Sequence, residues 1–154
     1  MQRTMHKTMH KTMHNIDDHT GDQHIYDTLI IGGGFSGLGV AQRLFAEGER
    51  DFIILEKADT LGGTWRDNTY PGCACDVPST LYSFSFAPNP NWSRVFAEQP
   101  EIQSYLLDVA DKIGVHPYVR LRTKVAGASW NPRECVWEIS TDRGPFRARL
   151  LVSG

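Results

Sequence analysis

The sequence predicts an α/β fold, a parallel strand–helix–strand core followed by an antiparallel meander. Three observations predict it. Two short apolar, β-prone runs, residues 26–31 (YDTLII) and 51–56 (DFIILE), flank a stretch with helical spacing. Strand, helix and strand within about 30 residues need a crossover, so the two strands run parallel and the connection is right-handed. Near the end, three strand-like stretches are separated by short turn signals, the pattern of a meander.

Each element has its own local reason. Residues 26–31 end at glycines and read as a buried strand. Residues 36–47 place Leu38, Ala41, Leu44 and Phe45 on one helical face, and Gly48 follows as a stop. Residues 57–99 are rich in Gly, Pro, Asn and aromatics, with little periodicity. A loop this long inside a compact domain usually serves function. Residues 100–113 are helical: Pro100 suits the first turn, Ile102, Leu106, Val109, Ala110 and Ile113 form a stripe, and Gly114 ends it. Strands are expected over residues 124–130, 136–141 and 146–152, with turns at Asn131-Pro132 and at residues 142–145.

Composition sets bounds. The chain has 154 residues, about one domain's worth. Sixteen basic against eighteen acidic residues leave a net charge of −2, without the basic excess of a nucleic-acid or membrane-surface binder. No apolar run approaches the roughly 18 residues that cross a bilayer. Three cysteines cannot build a disulfide framework, so a reducing, cytoplasmic setting is expected. Residues 1–24 stand apart: they hold all four methionines and the repeat MHKTMHKTMH. With few groups able to join a core, they read as a disordered tail or as an overly early start. As a helix, that tail would align His6, His10 and His14 for a transition metal; the tail reading is preferred and no metal site is expected. The folded domain is expected over residues 25–154.

The chemistry lies in the glycines. Gly32, Gly34 and Gly37 form G-x-G-x-x-G between the first strand and the first helix, with Phe35 and Ser36 inside the motif. The first glycine permits the tight turn, the second lets backbone approach a pyrophosphate, and the third lets helix and strand pack closely. The helix N-terminus offers unpaired N–H groups and partial positive charge to phosphate. Glu56 closes the second strand 19 residues after Gly37, where an acid grips ribose hydroxyls. Strand, turn, helix and acid together predict a Rossmann-like dinucleotide site. An acid there suits FAD or NAD better than NADP.

The segments GGGFSG, LEKADTLGGTW, YPGCACDVPS and LYSFSF together resemble the class B flavoprotein monooxygenases, and the YPG and Cys75-Asp76 pieces lean toward the Baeyer–Villiger branch. The resemblance spans about residues 25–154 and implies an FAD-binding domain. Gly32, Gly34 and Gly37 would hold the pyrophosphate and Glu56 the adenosine ribose, with Phe35, Ser36 and Lys57 also at the cofactor. Gly63, Thr64 and Trp65 would lie toward the ribityl and flavin side, Val77 and Tyr82 near the cofactor, and Val125 at the adenine. Asp76 matches the family's aspartate beside the flavin, which holds a catalytic arginine. The implied reaction uses NADPH to reduce FAD. A C4a-peroxyflavin then passes one oxygen atom of O₂ to a ketone, or to an N or S centre, of a small organic substrate.

The family's second G-x-G-x-x-G for NADPH, its His- and Trp-bearing signature and its catalytic arginine have no counterpart in these 154 residues. The fold is therefore expected to be incomplete at its C-terminal end, with a sheet edge left open. A non-catalytic FAD-binding module, or an inert gene fragment, stays open beside the enzyme. So does a non-oxygenating FAD-dependent reductase, although its usual redox cysteine pair is missing. Cys73 and Cys75 read as ordinary loop residues. Trp65 is either core or stacked near the flavin. Trp92, Trp130 and Trp137 are expected to pack, Phe84 and Phe86 to be core on a short strand, and Arg94, Lys112 and Arg120 to be solvated.

Overall fold

In a computed structural model, residues 24–154 are described. The tail and its His6, His10 and His14 lie outside them, except His24. That residue hydrogen-bonds Asp51 through its ring Nε2 (2.7 Å to Oδ1) and packs edge-on against Tyr26.

The chain forms β1 (Ile25–Ile31), α1 (Phe35–Ala46), β2 (Phe52–Leu55), α2 (Thr64–Asp67), α3 (Gln99–Ile113), β3 (Val119–Arg120), β4 (Val125–Asn131), β5 (Val136–Thr141) and β6 (Gly144–Ser153). Single 3₁₀ turns occupy Ser79–Leu81 and His116–Tyr118. One six-stranded sheet runs in the order β3-β2-β1-β6-β5-β4. β1 pairs in parallel with β2 and β6, and β2 with β3; β5 pairs antiparallel with β4 and β6.

β6 joins the two halves. Gly144–Ala148 pairs with β5 and Arg147–Ser153 with β1, so beyond Ala148 its other side has no strand partner among the described residues. The strands alternate as a two-faced sheet must. Ile30, Phe52 and Ile54 pack with Leu38 and Ala41 of α1 and with Ile102, Leu106 and Val109 of α3. Leu29, Ile53 and Leu55 face the other way, with Ile139 and Ala148. Pro100 lies in the first turn of α3, and Gly114 ends it in the left-handed region (φ 68°). The expected αβ core, helices and meander are all present.

The long segment departs most from expectation. It holds α2 and a 3₁₀ turn, and no strand forms over Tyr82, Phe84 and Phe86; only an isolated bridge joins Phe84 to Ala87. Phe84 packs on the core, but Phe86 is 38% exposed, stacked on Phe84 at the rim. Trp92 and Trp137 pack, whereas Trp130 is 46% exposed on the edge strand and touches Trp137 edge-on. Arg120 is half-buried in β3, because its backbone carbonyl accepts from the Glu56 N–H and ties that strand into the sheet. Arg94 is exposed and paired with Glu98, and Lys112 is exposed.

Candidate nucleotide-binding site

A cleft of about 560 Å³ opens at the C-terminal ends of β1 and β2. Open α/β sheets bind ligands at this end of their strands. Its floor is the turn between β1 and α1. Gly32 adopts φ 99°, and its N–H bonds the carbonyl of Leu55 (2.9 Å). A Cβ on Gly37 would sit 2.0 Å from the carbonyl oxygen of Gly32, so the close approach of helix and turn at this point requires glycine. Gly34 precedes α1 at its N-cap, with no side-chain cap and no acidic residue in the first turn. Leu38 makes the first helical bond, to the Gly34 carbonyl (3.0 Å). The amides ahead of it are the unsatisfied, partly positive end of the helix.

A second glycine pair faces this turn. Gly62 donates to the Gly33 carbonyl (2.9 Å), and a Cβ on Gly63 would approach Gly34 Cα to 3.2 Å. Two backbones meet here with no side chain between them, which leaves a cradle of main-chain atoms.

At the other end stands Glu56, whose side chain is 4% exposed. Oε2 accepts from the Gly33 N–H (2.8 Å), and Oε1 from the Ala58 N–H (2.9 Å) and from Arg66 Nη1 (2.9 Å). Arg66 Nη1 also donates to the Thr60 carbonyl (2.7 Å) and Nε to Asp67 Oδ1 (2.8 Å). The hydrogen bond to Asp67, with Glu56 nearby, raises Arg66 further above its ordinary value. The same bond holds the Asp67 carboxyl below the usual carboxylate range. Two backbone amides and the Arg66 guanidinium thus meet the oxygens of the buried Glu56 side chain.

The cleft brings together most of the residues expected from sequence: Gly32, Gly34, Phe35, Ser36, Glu56, Lys57, Gly63, Thr64, Trp65, Tyr82 and Val125. Trp65 packs as the first of its two readings expects. It is buried in the core, yet borders the cleft and donates from Nε1 to the Tyr82 hydroxyl (3.0 Å). Gly37 lies just beneath. Asp76 and Val77 are exposed and outside the lining. Cys73 and Cys75 are buried thiols in the core. The sequence reading missed Arg66, Asp67, Thr123 and Lys124, which also line the cleft. The last two arrive because the Thr123 N–H bonds the Glu56 carbonyl (2.9 Å), a tertiary contact with no motif.

Fold and cleft define a Rossmann-type dinucleotide-binding unit. The family model for an NAD(P)-binding Rossmann-like domain matches residues 30–99. A Baeyer–Villiger monooxygenase of Streptomyces coelicolor is 55% identical over 124 residues, which are 80% of this chain and 24% of that protein. Another, from Pseudomonas aeruginosa, is 50% identical over 126 residues, 81% of this chain and 24% of that one. Among solved structures, a steroid monooxygenase bound to NADP superposes with a TM-score of 0.80 at 38% identity, over 85% of this chain and 26% of that chain. The cyclohexanone monooxygenase of Rhodococcus sp. Phi1, bound to NADP+, gives 0.79 at 36%, over 84% and 25%. The sequence and fold are similar to the N-terminal part of these flavoprotein monooxygenases, and the chain spans about a quarter of these relatives' length. Among the described residues no helix is long and apolar enough to cross a membrane.

Proposed function

We propose that the chain binds FAD as the nucleotide-binding part of an NADPH-dependent monooxygenase of the Baeyer–Villiger type. One observation carries the reading: the uncapped start of α1 and the Glu56 carboxylate border the same cleft, across a glycine-lined cradle. That arrangement fits the ADP half of a flavin dinucleotide, with anionic phosphates at the helix end and a ribose diol at the acid.

In this reading the amides of residues 34–37 hold the pyrophosphate, and Gly32 supplies the turn that aims them. Gly63 lets the backbone come close, while Thr64, Trp65 and Tyr82 line the route toward the flavin side. Lys57 adds charge beside the ribose, and Val125 offers backbone to the adenine. Asp76 and Val77, exposed in the loop 73–79, act on the flavin side as the residues matching the family's pattern. FAD supplies, when bound, the oxygen chemistry by which one atom of O₂ enters a ketone, or an N or S centre, of an organic substrate. The chain's own part is to bind, orient and partly desolvate that cofactor. The NADPH site belongs to the second glycine motif of the relatives. Residues 25–154 form this unit, and the protein works in the cytoplasm.

The test is retention of cofactor. The 154-residue chain purified with added FAD is expected to keep a flavin absorbance spectrum after gel filtration. Glu56→Ala is expected to weaken retention about tenfold or more, the scale of a lost charge-assisted hydrogen bond. Retention of NAD in preference, or of no nucleotide, overturns the proposal.

A further inference from the structure

We infer that Arg66 is a positioning and specificity residue of the cleft: it holds Glu56 in place for a 2′-hydroxyl, and it is a receptor for a 2′-phosphate that Glu56 keeps occupied. This rests on the nucleotide reading above. A carboxylate offers about four acceptor positions. Those of Glu56 receive Gly33 N–H, Ala58 N–H and Arg66 Nη1, which leaves room for one further donor, such as a ribose hydroxyl.

Arg66 is fixed with equal care, its side chain 11% exposed. Nη1 serves Glu56 and Thr60, Nε serves Asp67, and Nη2 has no hydrogen-bond partner among the described residues. Two carboxylates thus share one guanidinium, with Lys57 Nζ a looser 3.9 Å from Asp67. A phosphate dianion on the ribose would meet a carboxylate whose compensating cation is already engaged, and would be repelled. With the Glu56 charge removed, the guanidinium faces the cleft with donors and charge to spare. Its planar fork suits a phosphate. Lys57 and Lys124 also line the cleft, but their contribution is common to every variant at positions 56 and 66.

Calorimetric titration of the full chain with ADP and with ADP carrying a 2′-phosphate tests this. Wild type is expected to prefer ADP. Glu56→Gln, close in shape, is expected to shift the ratio of the two affinities toward the 2′-phosphate by about tenfold or more, the scale of an ionic hydrogen bond. E56Q/R66M is expected to lose that shift, since the receptor is gone. Arg66→Met alone is expected to weaken ADP binding, with Arg66→Lys recovering part of it. The ratio is the decisive reading, because a residue that merely supported the fold would change both affinities alike. Circular dichroism melts identify any variant that has not folded, and E56Q, which leaves Arg66 in place, still decides if R66M does not fold. An unchanged ratio in E56Q, or a shift that persists in E56Q/R66M, overturns the inference while leaving nucleotide binding standing. Wild type that binds neither ligand overturns the nucleotide reading first, and this inference with it.

Discussion

Gly37 and Gly39 stand two residues apart on α1 and answer differently to an added methyl group. At Gly37 the new carbon would lie 2.0 Å from the Gly32 oxygen and 3.1 Å from its carbonyl carbon, both backbone atoms that set the phosphate turn. Gly37→Ala is expected to destabilise by about 1–3 kcal/mol in urea denaturation, the usual scale of overpacking, and to lower nucleotide affinity as the turn shifts. At Gly39 the nearest atom is a ring carbon of Phe84 at 3.4 Å, an ordinary contact. Gly39→Ala is expected to be neutral or to stabilise by up to about 1 kcal/mol, through helix propensity. Asp67 adds a pH dependence. Its carboxyl is lowered by the hydrogen bond from Arg66, so the stability it contributes is present above the ordinary value of about 3.9 and fades as pH falls through the lowered one. Urea midpoints of wild type and Asp67→Asn are expected to differ near neutrality and to converge in acid. The difference is small, because Asp67 is half-exposed and water screens the pair. Glu56 could be found by its distance from the glycine motif. Arg66 and Asp67 could not: Arg66 matters because a short helix, α2, folds back over Glu56, and no spacing rule encodes that return.

The elements differ in how plainly the chain announces them. β5 and α3 were legible to within a residue because their patterns are local: strand propensity between turns for one, Pro100, an apolar stripe and Gly114 for the other. α2 and the two-residue β3 were not, since they are too short to show a period and exist only against partners. The loop 82–92 is the clearest case. Alternating aromatics there suggest a strand, but the segment is held from outside, by a helix residue. The Tyr105 hydroxyl accepts from the Phe84 N–H (2.7 Å) and donates to the Ala87 carbonyl (2.8 Å). Burial pushes its phenol above the ordinary value. Tyr105→Phe leaves both backbone groups unpaired with little change of shape. It is expected to cost about 1–3 kcal/mol and to speed limited proteolysis within residues 82–92, while α3 keeps its far-ultraviolet signal. Unchanged cleavage would show that the aromatic packing alone holds the loop.

At the scale of the whole molecule, β6 decides whether nucleotide cleft and meander behave as one body. Arg147 and Ala148 pair with β1 on one side and with β5 on the other, and Ala148 is fully buried at that junction. Leu29, Ile53 and Leu55 from the parallel half share a core with Ile139 of the meander. The two halves share one apolar core on this face, so they are expected to melt together. The tryptophans allow a direct check, because Trp65 and Trp92 pack in the cleft half while Trp130 and Trp137 lie on the meander. A chain with both meander tryptophans changed to phenylalanine reports on the cleft, and one with Trp65 and Trp92 changed reports on the meander. Each is compared with its own circular dichroism transition, since the substitutions shift stability by themselves. In both, fluorescence and circular dichroism midpoints are expected to coincide. ADP binds only beside β1 and β2, yet at about one hundred times its dissociation constant it is expected to stabilise both transitions by about 2.7 kcal/mol, as binding linked to a single folded state requires. A meander whose transition ignores ADP would show that the shared β6 does not couple the halves.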